Sequence, residues 1–127
     1  MNILIVEDDF ASRKILKAFL SEYGDCDIAV TGVEAVKAYE DSIRDGCRYD
    51  LICMDINMPA MNGIEAVRII RRIENKMDIQ GLDGVKIIMT TIEDDNENII
   101  GAFNKGCEAY IVKPVKKEQL LAEMHKL

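Results

Sequence analysis

The sequence predicts an α/β fold built from five successive strand–helix units around a parallel sheet. Short apolar runs alternate with longer stretches in which apolar residues recur every three or four positions, the periods typical of strands and of amphipathic helices. The central run, Leu51 to Met54, is apolar without interruption and is followed by Asp55, which is the pattern of a strand buried on both faces. Strands that alternate with helices favour a parallel sheet with right-handed crossovers and helices on both faces.

The first unit pairs a short strand with a helix. Ile3 to Val6 form the strand, and Asp8 or Asp9 is placed to cap the helix that follows, which ends near Gly24. The spacing predicts one apolar and one basic face for this helix. The inward set is Ala11, Ile15, Ala18 and Phe19, and the outward set is Arg13, Lys14 and Lys17.

The second and third units follow the same pattern. A weak strand around Asp27 to Val30 precedes Thr31 and Glu34, whose spacing is that of a capping box. After the central strand, Asn62 opens a third helix with an acid in its first turn. The predicted inward residues are Val36, Tyr39 and Ile43 in the second helix and Ile64, Val67 and Ile70 in the third, with Arg68, Arg71 and Arg72 outward.

The last two units are separated from the third by a predicted loop over 74–84, which is longer than most αβ connections. Val85 to Met89 form a strand that ends at two threonines, and a fourth helix is expected from the acidic run at 93–95 to Gly106. Ala109 to Val112 form the last strand, and a fifth helix carries its apolar residues in phase. Those residues are Leu120, Met124 and Leu127.

Composition restricts the possible functions. The chain has 127 residues, enough for one domain over 1–127. Its formal net charge of -7 repels phosphate backbones and anionic lipids, so we expect direct binding to neither nucleic acid nor membrane. The first residues carry no basic leader, and four cysteines without C-x-x-C spacing favour reduced structural thiols over a zinc site. We therefore expect a cytoplasmic protein.

Polar residues follow four of the five predicted strands. Glu7 and Asp8 come after the first, Asp55 after the third, Thr91 ends the fourth, and Lys113 follows the fifth. The carboxyl ends of parallel strands meet at one edge, where open α/β sheets bind their ligands. Clustered carboxylates without Cys or His select a hard cation such as Mg²⁺. An acid, a cation and an ammonium together suit a transferring phosphoryl group.

These motifs resemble the receiver domains of two-component response regulators over the whole chain. The similar segments are Val6-Glu7-Asp8-Asp9, Met54-Asp55-Ile56-Asn57-Met58-Pro59, Met61-Asn62-Gly63, Thr91 and Tyr110-Ile111-Val112-Lys113-Pro114. The resemblance implies a flavodoxin-like, doubly wound (βα)5 fold with strand order 2-1-3-4-5. It implies that Asp55 accepts a phosphoryl group from a sensor histidine kinase or a histidine phosphotransfer protein. The protein would then be a phosphoacceptor and not an enzyme, apart from self-catalysed phosphorylation and dephosphorylation.

The resemblance also assigns residue roles. Glu7, Asp8, Asp55 and the Asn57 carbonyl would hold Mg²⁺ or Mn²⁺, and Thr91 and Lys113 would hold phosphoryl oxygens. Thr91 and Tyr110 would form the switch that alters the face of the fourth helix, fifth strand and fifth helix for a downstream partner or a second copy. The remaining implied features are a cis bond between Lys113 and Pro114, and tuning of dephosphorylation by Asn57, Glu93 and Ile92.

Some features depart from the family pattern or leave alternatives open. Ile92 stands where receivers carry a small residue, which puts the reaction rate in doubt. A Mg²⁺-dependent phosphohydrolase with an Asp nucleophile is an alternative, although Asn57 stands where its second acid would be. A flavodoxin-like binding module or a phosphate-independent pseudo-receiver is another. The sequence leaves open the cognate kinase, the pathway, the oligomeric state and whether the chain is part of a longer regulator.

Overall fold

A computed structural model of the chain describes residues 1–58, 60–79, 81–92 and 106–127, apart from the side chain of Leu82. Its strands are β1 (Asn2–Val6), β2 (Asp25–Ala29), β3 (Leu51–Asp55), β4 (Lys86–Thr91) and β5 (Ala109–Val112). Its helices are α1 (Phe10–Leu20), α2 (Gly32–Arg44), α3 (Gly63–Lys76) and α4 (Lys117–His125), with a 3-10 turn at Gly81–Asp83. The fourth helix expected from the sequence lies outside the described residues. Within these ranges, no helix has both the length and the apolar character needed to cross a lipid bilayer.

The five strands form one sheet in the order β2-β1-β3-β4-β5, and every pair is parallel. The predicted fold class and strand order are therefore confirmed. All five residues of β3 are buried, because this central strand has a neighbour on each side and a helical layer on each face. Its register aligns Asp55 with Thr90 of β4, which brings the ends of β3 and β4 together.

Alternate residues of the strands pack into two separate layers. Leu4, Ile52 and Ile87 pack toward α2 and α3, whereas Ile3, Cys53 and Ile88 pack toward α1 and α4. This alternation follows from the two-residue period of a strand. Both layers extend to the carboxyl edge of the sheet, so the polar residues at that edge lie directly above a packed core.

Three helices begin at the residues that the sequence predicts. The side chains of Asp9, Thr31 and Asn62 accept hydrogen bonds from the backbone N–H groups three residues later, at 2.9, 3.1 and 2.9 Å. Each bond satisfies one of the N–H groups that the first helical turn leaves without a partner. Asp9 is thus the cap of α1, which leaves Glu7 and Asp8 as the acidic pair at the sheet edge.

The buried face of α1 differs from the prediction. Leu16 and Leu20 are its buried residues, whereas the predicted inward residue Ile15 is 49% exposed. The helix carries apolar residues on two adjacent stripes about 100° apart, so periodicity alone does not determine which stripe faces the sheet. The outcome is an exposed apolar surface on α1 that includes Phe10 and Ile15.

Helix α3 also extends beyond its predicted end. The sequence predicted a loop from residue 74, but α3 continues to Lys76 and buries the carboxylate of Glu74. Arg71, predicted to point outward, donates instead to Glu74, to the Gly106 carbonyl and to Glu108. The Glu74 carboxylate also accepts from the Tyr39 hydroxyl at 2.6 Å and from the Val85 N–H at 2.7 Å. These bonds join α2, α3 and the sheet, and they explain why a charged residue is buried here.

Candidate functional site

The acidic residues predicted at the strand ends lie together. Carboxylate oxygens of Glu7, Asp8 and Asp55 lie within 4.8 Å of one another. Glu7 and Asp55 are buried, whereas Asp8 is exposed. The cluster is therefore open to solvent on the Asp8 side and closed beneath by the core. Because all three donors are carboxylate oxygens, the cluster suits a hard divalent cation.

Lys113 reaches the same cluster from the end of β5. Its ammonium donates to Glu7 Oε1 at 2.5 Å and to Asp55 Oδ2 at 3.3 Å. Burial alone lowers the pKa of Lys113, but the hydrogen bond to Glu7 and the charges of Asp55 and Glu7 outweigh it, so the pKa is raised. The lysine stays charged at neutral pH. The Lys113–Pro114 peptide bond is cis.

The loop after β3 holds the Asp55 carboxylate from the other side. The Asn57 N–H donates to Asp55 Oδ1 at 3.0 Å. The loop then turns sharply back, and the Gly63 N–H donates to the Ile56 carbonyl at 3.0 Å. A Cβ atom at Gly63 would lie 2.4 Å from the Asp55 carbonyl oxygen, so only glycine allows this close approach.

The end of β4 faces the Asn57 side chain. Asn57 Oδ1 accepts long hydrogen bonds from the Thr91 hydroxyl and from the Ile92 N–H, each at 3.4 Å. Thr91 is buried, whereas Ile92 is 59% exposed beside it. Thr91 therefore lies near the site through Asn57. The side chain of Ile92, directly after β4, faces solvent.

Two predicted residues remain, Tyr110 and Glu93. Tyr110 is half-buried on β5 and packs against the α2–α3 layer, which is also the face of Thr91 by strand alternation. Glu93 lies outside the described residues.

Arg13 and Thr90 belong to the site surroundings, and the sequence analysis did not assign them there. Arg13 was expected to point outward, but its guanidinium donates to the carbonyls of Glu7 and Asp8 at 3.3 and 3.0 Å. An arginine one turn into the helix after an acidic pair is the signal that could have predicted this contact. Thr90 is buried next to Asp55 in the register of β3 and β4, and nothing in its local sequence distinguishes it from Thr91.

Comparison with known proteins identifies the family. The family model for the response regulator receiver domain matches residues 3–125. In the co-crystal structure of the Saccharomyces cerevisiae histidine phosphotransfer protein Ypd1 with the receiver domain of Ssk1, the match has a TM-score of 0.87 at 30% identity. It covers 99% of this chain and 87% of that one.

Two further proteins are similar. The receiver domain of the Pseudomonas aeruginosa sensor histidine kinase PA1611, with magnesium coordinated in its active site cleft, gives a TM-score of 0.78 at 27% identity and covers 98% of this chain and 94% of that one. The Bacillus subtilis transcriptional regulatory protein YhcZ is 33% identical over 95% of this chain and 52% of its own length. The chain spans about half the length of the first curated relatives it matches. Its fold, its acidic cluster and these matches agree, and the chain belongs to the response regulator receiver domain family of two-component and phosphorelay signalling.

Proposed function

We propose that Asp55 is the phosphoacceptor of this receiver domain. The observation that carries the proposal is the convergence of Asp55 with Glu7, Asp8 and Lys113 at the carboxyl edge of the sheet. Asp55 is buried against the core, and its two oxygens are contacted by the Asn57 N–H and the Lys113 ammonium. A carboxylate held this way presents a fixed oxygen to a phosphorus atom, which is the positioning that phosphoryl transfer needs.

Glu7, Asp8, Asp55 and the Asn57 carbonyl are the residues that would hold Mg²⁺, or Mn²⁺ in its place. Three carboxylate oxygens within 4.8 Å fit such an ion, because hard cations prefer oxygen ligands. When bound, the ion neutralises charge on the phosphoryl oxygens. Glu7 also keeps Lys113 at the site, so this acid would serve both the cation and the lysine.

The reaction requires little covalent chemistry from the protein. A carboxylate oxygen of Asp55 attacks phosphorus, the phosphorus–nitrogen bond of a phosphohistidine breaks, and the electron pair remains on the imidazole. The Lys113 ammonium and the Thr91 hydroxyl donate to phosphoryl oxygens as the transfer proceeds. The domain catalyses only its own phosphorylation and dephosphorylation, with Asn57, Ile92 and Glu93 setting the rate of the second step.

The phosphoryl donor is a sensor histidine kinase or a histidine phosphotransfer protein, and we place its docking surface on α1 and the residues after β5. Phe10 and Ile15 are exposed apolar side chains on α1. Ile15 and Val115 line a cavity of about 220 Å³ that also contains Glu7 and Lys113. An apolar surface at the mouth of the site suits a donor helix that brings its phosphohistidine to Asp55. Since sensor kinases use ATP, the domain works in the cytoplasm.

Small acyl phosphates test the proposal without the unknown kinase. We expect acetyl phosphate with Mg²⁺ to add one phosphoryl group to Asp55, detected by intact mass and by peptide mapping. Asp55→Asn should abolish the adduct, and Asp8→Ala should reduce it by at least about a hundredfold through lost cation binding. Lys113→Ala should impair the response to phosphorylation more than the binding of Mg²⁺.

Asp9→Asn is the matched control, because it removes a neighbouring negative charge while keeping the helix cap of α1. It should react like the wild type. A phosphoryl adduct of unchanged yield on the Asp55→Asn protein would contradict the assignment, and so would equal labelling in EDTA.

A further inference from the structure

Thr90 carries a buried hydroxyl that its structural role alone does not explain. It is 1% exposed. Among the side-chain atoms of the described residues, its Oγ1 is the buried oxygen without a hydrogen-bond partner. Burying an unpaired hydroxyl is unfavourable, and valine has nearly the same shape without that cost. A purely structural position in this strand would therefore favour valine.

The strand register places Thr90 on the same face of the sheet as Asp55. Thr90 is in register with Asp55 on one side and with Ile111 on the other. In-register neighbours of a parallel sheet point to the same face, and Ile111 belongs to the layer toward α1 and α4. Thr91, one residue later, points to the opposite face. The two successive threonines therefore cannot serve the same purpose.

Lys113 connects this hydroxyl to the reaction. Lys113 follows β5, and its ammonium contacts Asp55 on β3, so its side chain crosses the end of β4, which lies between those strands. On the face of Asp55, the last buried residue of β4 is Thr90. The hydroxyl of Thr90 thus lies beneath the path that the lysine takes.

Phosphorylation changes what the ammonium needs. In the present arrangement the ammonium donates to two carboxylates, Glu7 and Asp55. After transfer, the negative charge has moved from the Asp55 oxygen to phosphoryl oxygens farther out, and the ammonium must turn toward them. An ammonium has three N–H donors, so when the one that pointed at Asp55 follows the charge to a phosphoryl oxygen, the rotation frees another donor. A buried hydroxyl beneath the lysine is then a suitable acceptor for the freed donor.

We infer that Thr90 is a positioning residue that acts through Lys113, accepting a hydrogen bond from its ammonium in the phosphorylated state. This inference rests on the proposed function of Asp55. It predicts that the hydroxyl of Thr90 contributes to the phosphorylated state and not to the unmodified one, which a residue of merely structural importance would not do.

Beryllium fluoride, a phosphoryl mimic, separates the two states. We expect Thr90→Val to match or exceed the wild type in melting temperature without the mimic, and to bind beryllium fluoride with Mg²⁺ at least threefold more weakly by ¹⁹F NMR titration. Thr90→Ser keeps the hydroxyl and should bind within twofold of the wild type. Thr90→Ala also removes the hydroxyl, and it provides the same comparison if valine disturbs the fold.

A double-variant cycle tests the route through Lys113. In a Lys113→Ala background, Thr90→Val should cause no further loss of beryllium fluoride affinity, because the partner of the hydroxyl is gone. Wild-type affinity in both Thr90→Val and Thr90→Ala, or an equal further loss without Lys113, would overturn the inference. Failure of the proposed function would give a different result, because the wild type itself would then neither bind the mimic nor be phosphorylated at Asp55.

Discussion

At the level of a single side chain, we expect Ile92 to limit the access of water and of the phosphoryl donor to Asp55. It is 59% exposed and lies directly beside Asn57, whose side-chain oxygen accepts from its N–H. A branched side chain at this position would crowd the space through which a water molecule would reach a phosphoryl group on Asp55. Asn57 would oppose this effect, because an amide two residues after the proposed phosphoacceptor can orient that water.

We expect a phosphoryl lifetime on the order of a minute in Mg²⁺, and Ile92→Ala should shorten it by about threefold, which corresponds to about 0.7 kcal/mol of barrier. The half-life is measured from the decay of acid-stable label after removal of acetyl phosphate. Val33→Ala, which truncates an exposed apolar residue on α2, is the control and should leave it unchanged. A wild-type half-life of many hours would show that crowding by Ile92 outweighs water orientation by Asn57. An unchanged half-life in Ile92→Ala would exclude Ile92 as a determinant of the phosphoryl lifetime.

We expect the cysteines to differ in reactivity, because they differ in burial. Burial raises the pKa of Cys53 to about 12 and that of Cys107 to about 11, whereas Cys47 is exposed. At pH 8 the thiolate fraction of Cys53 is on the order of 10⁻⁴. We expect Ellman's reagent to modify Cys47 first and Cys53 only after denaturation. Cys47→Ser should remove the fast phase, and rapid labelling of Cys53 in the folded protein would contradict the packing of β3.

At the level of elements, the sequence predicted what is periodic and missed what depends on tertiary contacts. The apolar run of β3 and the caps Asp9, Thr31 and Asn62 are local signals, and the structure confirms them. The buried stripe of α1 was wrong at Ile15, although Phe19 packs against the core as predicted, because two apolar stripes compete. Glu74 was assigned to a loop because residues 74–84 are of mixed polarity and include two glycines, and the Tyr39 and Val85 partners of its carboxylate are distant in the sequence.

The same reasoning applies to the site. Strand alternation and the carboxyl-edge rule were sufficient to bring Glu7, Asp8, Asp55 and Lys113 together, because each follows a strand directly. The contact of Arg13 with the carbonyls of the acidic pair depends on how α1 is rotated about its axis, which no local pattern determines.

Glu74 stabilises the packing of α2 and α3 on the sheet. Its carboxylate is 3% exposed and accepts from Tyr39, Arg71 and the Val85 N–H. Glu74→Ala leaves these donors unsatisfied and should cost about 3 kcal/mol in the free energy of unfolding. Tyr39→Phe removes one bond and should cost about 1 kcal/mol. Urea denaturation followed by circular dichroism measures both.

Glu65→Ala is the control for Glu74, because Glu65 is an exposed acid on the same helix with a long contact to Arg68 at 3.6 Å. Surface pairs of this kind contribute about 0–1 kcal/mol. Equal unfolding free energies for Glu74→Ala and Glu65→Ala would show that the buried bonds of Glu74 give no net stability.

For the whole molecule, the sheet divides the site between its two faces. Asp55 and Thr90 lie toward α1 and α4, whereas Thr91 and Tyr110 lie toward α2 and α3. A group added at Asp55 therefore reaches both layers from the edge where they meet. If Asp55 is the phosphoacceptor, one face would receive the phosphoryl group, and Thr91 and Tyr110 on the other face would respond to it.

The output is predicted to pass through Thr91 and Tyr110 to the surface formed by the fourth predicted helix, β5 and α4, which binds a downstream protein or a second copy. A phosphoryl group that draws in the Thr91 hydroxyl opens space beside Tyr110, which is half-buried on the same face. Coupling of this kind needs about 1–3 kcal/mol of differential affinity between the two states. We expect beryllium fluoride to shift dimerisation or partner binding by about 5- to 150-fold in the wild type.

Sedimentation of the protein with and without beryllium fluoride measures the shift for self-association, and titration with a candidate partner measures it for a second protein. Tyr110→Ala and Thr91→Ala should lose most of the shift while still binding the mimic, because in the proposed site Lys113 and the cation would be its main contacts. Tyr110→Phe keeps the ring and should keep the shift, which separates the space-filling role of the ring from any role of its hydroxyl. If both alanine variants respond to the mimic as fully as the wild type does, the signal leaves the site by another route.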